Sequence, residues 1–181
     1  MHTDYFVADH EGLSSAFAGW LTVGSEPVIR ESRNPFTGAI KRMEEWSTQG
    51  PISDGVPAEF PDLAPLPHVL LKRIEHAKVA SLAGLVTRRP PAEVLQSMLK
   101  PALIHPTNED VGLHAVPADV VSALAALQDN DIEAIAAKWQ ETDETRDGQF
   151  HLQDCCDVLR SLGGLSRAAA PQRQMYLLWS L

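Results

Sequence analysis

The sequence is poor in the residues that cross-link a chain, span a bilayer or grip a polyanion. Only two cysteines occur in 181 residues, and Cys155 and Cys156 are adjacent, a spacing that strains any bond between them. That argues against a disulfide framework and for a reducing compartment, so a cytoplasmic protein is expected. No apolar run approaches the roughly 20 residues of a helical membrane span, and no membrane partner is expected. Met1-His2-Thr3-Asp4 lacks a basic region followed by an apolar stretch and does not read as a secretion signal. Lysine and arginine total 15 against 24 aspartates and glutamates, a net charge of -9. A field of that sign repels phosphate backbones and disfavours nucleic acid as a partner. There is also no Gly-x-Ser-x-Gly elbow and no phosphate-binding glycine loop, since no lysine follows Gly163-Gly164. No cofactor is expected.

What is present is an ordinary globular composition, 44% apolar and 22% charged, of a length that one core can organise. The acidity is localised. Residues 109–157 carry twelve carboxylates (from Glu109 and Asp110 to Asp154 and Asp157) against Lys138 and Arg146 alone, so this stretch is net -10. Such a face attracts a basic protein partner or a hard cation; its plainer reading is a set of solvated helix faces that keep the protein soluble.

Asp4 to Ala8 has strand propensity, and Leu13, Phe17 and Trp20 have helical spacing behind Asp9 as cap. Residues 27–48 read as a β-hairpin around Asn34-Pro35-Phe36-Thr37-Gly38. Both arms carry charge on both faces, so the hairpin is expected to protrude or lie at a sheet edge. Prolines 51, 57, 61, 65 and 67 make residues 50–67 a stiff connection, a candidate boundary between a β-rich lobe and a helical body. Residues 69–74 fit a buried strand or the start of a helix equally well. Helices are expected over 75–87, from Pro91 to Pro101, after Pro117, after Asn130 with Glu133 completing a capping box, and over 151–169. The third and fourth of these should pair as an antiparallel hairpin. Met175 to Leu181 is too apolar to dangle and should pair in a sheet with residues 4–8. The expected architecture is a single α+β domain.

Tyr5-Phe6-Val7-Ala8, Trp139-Gln140-Glu141-Thr142-Asp143-Glu144 and Met175-Tyr176-Leu177-Leu178-Trp179-Ser180-Leu181 resemble the motifs of a family of small, uncharacterised bacterial α+β proteins. The resemblance runs through most of residues 67–181 plus the first strand. It implies a fold pattern and a bacterial cytoplasmic origin, and it lends no activity and no catalytic residue. In that family Thr142 and Glu144 recur without a cation loop.

The sharpest chemical motif is calcium-like. Asp143 through Asp154 places Asp143, Thr145, Asp147 and Asp154 at loop positions one, three, five and twelve, with Gly148 at six and Phe150 at eight. Asp154 is one methylene shorter than the usual bidentate glutamate, Thr145 is uncharged, and no second loop exists. The competing reading is a polar connection with Asp147-Gly148 as turn and a carboxylate at the next helix start. His151 and Cys155 share a helical face but are half of a zinc site at most, and core packing is the expected role of both cysteines.

The leading expectation is therefore a non-catalytic protein-binding module using an acidic face, with an immunity- or antitoxin-like neutralisation of a basic effector as one concrete form. Its contact residues would be Glu141 and Glu144 on that face, or Arg42, Glu44 and Trp46 on the hairpin, where an aromatic sits among charges. The alternatives are a ligand binder or enzyme with a pocket between sheet and helices, lined by His105, His114 or Glu144, and a single calcium loop.

Overall fold

The structure is a computed structural model, described here for residues 2–33, 38–53, 55–72, 74–146, 150–169 and 173–180. Seven strands and six helices are formed by these residues. The elements are β1 (His2–Ala8), α1 (His10–Ala16), β2 (Leu21–Arg33), β3 (Ile40–Pro51), β4 (His68–Lys72), α2 (His76–Thr87), α3 (Pro91–Leu99), β5 (Pro101–His105), β6 (Asn108–Ala115), α4 (Ala118–Ala125), α5 (Asp129–Gln140), α6 (Leu152–Ala168) and β7 (Gln174–Ser180). The strands form one sheet in the order β3-β2-β5-β6-β7-β1-β4, with every neighbouring pair antiparallel. The fold is α+β.

Alternation along the central strands divides the apolar residues between two layers. Tyr5 and Val7 of β1 join Met175 and Leu177 of β7 in a core closed by α2 to α6, while Phe6, Ala8 and Leu178 face a second core with Leu13, Phe17, Trp20 and Leu63. The Tyr5 hydroxyl, fully buried, donates to Ile74 O at 3.1 Å. On the second face Phe6 stacks between Phe17 and Tyr176, with ring centroids 5.4 and 5.5 Å away. The C-terminal strand does pair with β1, through Thr3↔Trp179 to Ala8↔Gln174.

The proline-rich connection does not separate a β-rich lobe from a helical body. Ile52, Ala58, Leu63 and Leu66 lie against the second core, so with α1 the connection covers that face of the sheet. It is pinned by Ile52 N–H to Trp20 O, 2.8 Å, by the Trp20 indole N–H to Glu59 O, 3.0 Å, and by Val7 N–H to Pro67 O, 2.9 Å. Residues 68–72 resolve as the edge strand β4, because their backbone groups pair with β1. The strands β2 and β3 extend beyond residues 27–48, and β2 joins the sheet only through Leu21 and Thr22 on β5. From Val23 onward its ladder partner among the described residues is β3, so the ribbon forms the edge of the sheet, touched by Lys100 at Ser25 and Trp46. Of the turn expected at 34–38, residues 34–37 lie outside the described residues, and Gly38 has the positive φ, 69°, expected of it.

Two helix expectations change. The start of α5 is at Asp129, with Gln128 as N-cap and no side-chain capping bond, so Asn130 and Glu133 form no capping box. Asp129 and Asp131 already place negative charge on the exposed first turn, which the helix dipole favours without a formal cap. The capping box falls at α6, where Asp154 Oδ2 accepts from His151 N–H at 2.9 Å. And α4 and α5 pack chiefly on α6 and α2, not on each other. Gly163 makes this possible on α6: a Cβ there would lie 3.3 Å from Leu124 O, so the α4 backbone approaches closely.

Candidate functional site

Of the acidic stretch, Glu141, Asp143, Glu144, Asp154 and Asp157 lie at one junction, between the end of α5 and the first turns of α6. Trp139 anchors it. Fully buried, its indole N–H donates to Lys78 O at 3.1 Å and to Ser81 Oγ at 3.0 Å, fixing α5 on α2. The chain then leaves the helix through a threonine cap. Thr142 Oγ1 donates to Trp139 O at 2.9 Å, Thr145 Oγ1 donates to the same carbonyl, and the two hydroxyls lie 3.1 Å apart. A helix end leaves carbonyls short of partners; here Trp139 O accepts from the Thr142 N–H at 3.0 Å and from both hydroxyls. Gln140 Nε2 reaches Phe150 O at 2.9 Å and draws the start of α6 beside the end of α5.

The same contacts locate the calcium-motif residues. Thr145 is fully buried with its hydroxyl committed to Trp139 O, Asp154 caps α6, and Asp143 is exposed 3.5 Å from Arg146. The structure gives these three local capping and surface roles and does not gather them around one point; Asp147 lies outside the described residues. Among the described residues there is no group of three or more His, Cys, Asp or Glu side chains that would hold a metal.

Around this junction the charge is unusual for its position. The C-cap residue Glu141 and its neighbours Asp143 and Glu144 follow the carbonyl end of α5 directly. Negative charge is unfavourable there, because the helix dipole presents its own negative end. Arg146 offsets some of this by donating from Nη2 and Nε to Glu141 O, at 2.6 and 3.2 Å, and by approaching Asp143. Neither Glu141 nor Glu144 has a cationic partner among the described residues, and both are exposed. The remaining described carboxylates of 111–157 are exposed as well; Asp119 pairs with Arg89 at 2.8 Å and Asp157 with Arg160 at 3.0 Å.

The hairpin candidates sit at the opposite end of the strand order. Phe150 and Asp154 share a cleft with Leu71 and Lys72 of β4, one edge of the sheet, whereas β3 is the other. On the ribbon four of the charges form cross-strand pairs, Arg42 with Glu31 at 2.8 Å and Arg30 with Glu45 at 2.7 Å. Trp46 is half-buried beneath the Lys100 ammonium, 5.3 Å from the ring centroid. The side chain of Glu44 lies outside the description.

His105, His114 and Glu144 do not converge. His114 is buried toward the helices, where Nδ1 donates to Met98 O at 2.9 Å and the ring meets His76 edge to face. His105 packs against Trp20 in the other core, and Glu144 is on the surface. A core of packed side chains lies between sheet and helices, and at its margin β4 and α6 line a cleft of about 320 Å³ with Leu71, Asp154 and Val158, which none of these three residues enters. Cys155 and Cys156 are buried free thiols, and burial pushes the Cys155 thiol up to about 11, away from nucleophilic character.

One feature of the surface escaped the sequence reading. A groove of about 510 Å³ runs between α1 and the proline-rich connection, bounded by Phe60, Glu59 and Asp62. Its signal was the run Glu59-Phe60-Pro61-Asp62, an aromatic between two carboxylates, in a connection longer than the 12–15 or so residues that unstructured loops normally reach.

Comparison of the chain with protein-family models, with curated proteins and with solved structures finds no match. The fold and the site therefore define a class and no more: an α+β protein with one antiparallel sheet and an acidic helix junction.

Proposed function

We propose that the protein is a non-catalytic binding module whose Glu141–Glu144 junction receives a basic protein partner. The observation that supports this most is the unpaired acid at the carbonyl end of α5. Acid at the start of α5 is accounted for by helix stability, but acid at its end opposes the dipole and is retained at a cost. A surface kept against stability is characteristic of function. The ribbon is a weaker candidate, since four of its charges, Arg30, Glu31, Arg42 and Glu45, already pair with one another.

The setting proposed is the bacterial cytoplasm, which suits two buried thiols. No described helix is long and apolar enough to cross a membrane. Neutralisation of a basic effector, as by an immunity protein or antitoxin, is the concrete form of the role.

The test compares immobilised wild type with a Glu141→Gln/Asp143→Asn/Glu144→Gln variant over bacterial lysate at low and high salt. A partner held by the wild type at low salt, released by salt and absent from the variant is the expected result. Retention of the same protein by both, or of nothing by the wild type, overturns the reading.

A further inference from the structure

We infer that the groove between α1 and the proline-rich connection binds an organic monocation, an ammonium group carried on a small apolar body. The site lies on the opposite face of the sheet from α2 to α6, and the inference does not depend on the function proposed above.

Three observations carry it. The first is shape. About 510 Å³ is within the usual range for small-molecule clefts. The floor is made of the small residues Gly12, Ser15 and Ala16, and the opposite wall of Pro57, Phe60 and Leu66. The second is chemistry. Phe60 is 62% exposed, so most of a large aromatic ring is held in water at the groove, with the His105 ring tilted beside it at 6.4 Å between centroids. The ionisable side chains lining the groove are Glu59 and Asp62, both acidic, and among the described residues neither has an ion-pair partner. Asp62 Oδ1 accepts from Ala64 N–H at 3.0 Å, which holds its carboxylate in place. An aromatic face flanked by two carboxylates attracts a cation by ring quadrupole and by charge, and disfavours an anion.

The third is that the wall is already in position. Gly19 has φ +81°, and a Cβ there would stand 2.5 Å from Val56 O and 2.6 Å from Ala58 N, so the connection lies directly on the α1–β2 turn. The Trp20 indole holds Glu59 O on one side, and Ser53 Oγ donates to Ser14 O at 3.3 Å on the other. A pre-formed wall spares a ligand the cost of ordering it.

Benzylammonium, benzyl alcohol and phenylacetate, titrated by calorimetry and by amide chemical shifts of the full chain, test the inference. Benzylammonium should bind saturably, with shifts at Gly12, Ser15 and Ala16, and about tenfold more tightly than benzyl alcohol. Phenylacetate should not bind. Phe60→Leu and Glu59→Gln/Asp62→Asn should each weaken benzylammonium severalfold. The amide oxygen introduced by Asp62→Asn can still accept from Ala64 N–H, so the loop keeps its shape. Glu141→Gln/Glu144→Gln should bind as the wild type does. Equal binding of the cation and the alcohol, shifts that map elsewhere, or no saturation by the cation overturns the inference.

Discussion

The imidazoles of His76 and His114 meet edge to face with 4.5 Å between ring centroids, both buried between β6 and the start of α2. Loss of hydration disfavours charge on either ring, and His114 further disfavours a proton on His76. His76 is lowered to about 4, by burial first and by His114 second. His114 is lowered too, by burial, although its hydrogen bonds to the Met98 and Lys100 backbone oppose the shift.

Stability should therefore fall on mild acidification. An unfolded histidine titrates near 6.5, so below that pH the unfolded chain takes up protons that the folded chain refuses. The His76 contribution is fully present above pH ~6.5 and is lost as pH falls toward ~4, reaching roughly 2 kcal/mol by pH ~5. Denaturant midpoints measured across this range should decline, and His76→Gln should flatten the decline. A variant with the wild-type slope contradicts the assignment.

Thr145 is expected to matter for stability more than its place in a polar connection suggests. Thr145→Val keeps the shape and removes the hydroxyl bonded to Trp139 O, leaving a buried carbonyl with Thr142 as its side-chain donor. The loss should be about 1–2 kcal/mol, read from chemical denaturation. Millimolar calcium added to the wild type should leave the thermal midpoint where it was; a rise would instead return Thr145 and its neighbours to the calcium reading.

Two positive-φ residues should respond in opposite directions. Gly19→Ala adds a Cβ to a left-handed backbone and into the Val56–Ala58 backbone, so a loss of more than about 2 kcal/mol is expected. Arg88, the C-cap of α2, holds φ 59° with a side chain attached. Arg88→Gly relieves that and should stabilise by roughly 0.5–1 kcal/mol. Both are read from the same denaturation curve.

Much of this architecture was visible in the residues, and the features that were not share a cause. The strand propensity of β1, the apolar run of β7 and the helical spacing of α1, α2, α3 and α6 are local, and so are the prolines that bound helices, Pro91 opening α3, Pro101 following its end and Pro117 preceding α4. The strands β5 and β6 were not anticipated. They sit between Pro101 and Val116, are broken by Pro106-Thr107, and include Asn108-Glu109-Asp110 and Gly112, residue types depleted in strands. Their strand identity comes from partners far along the chain, β2 on one side and β7 on the other. The mutual placement of α4 and α5 likewise depends on α6. At the acidic junction the charges were legible, and so was a helix ending within Trp139–Glu144; the anchoring of that end by the Trp139 indole on α2 and by the two threonine hydroxyls depends on partners that no local pattern shows.

The acid at the end of α5 gives a result needing no partner. Glu141→Gln and Glu144→Gln should each raise the thermal midpoint at low salt, and the gain should shrink as salt screens the helix end. Unchanged or lowered midpoints would mean that the two carboxylates are not held against stability.

The most direct test is the affinity of the captured partner for three proteins across a salt series: wild type, Glu141→Gln/Asp143→Asn/Glu144→Gln, and Trp46→Ala. A junction that receives a basic protein requires affinity to fall steadily with salt, to drop about tenfold or more in the charge variant, and to be unchanged in Trp46→Ala. Wild-type affinity in the charge variant, with binding abolished by Trp46→Ala, would move the interface to the ribbon and contradict the proposal.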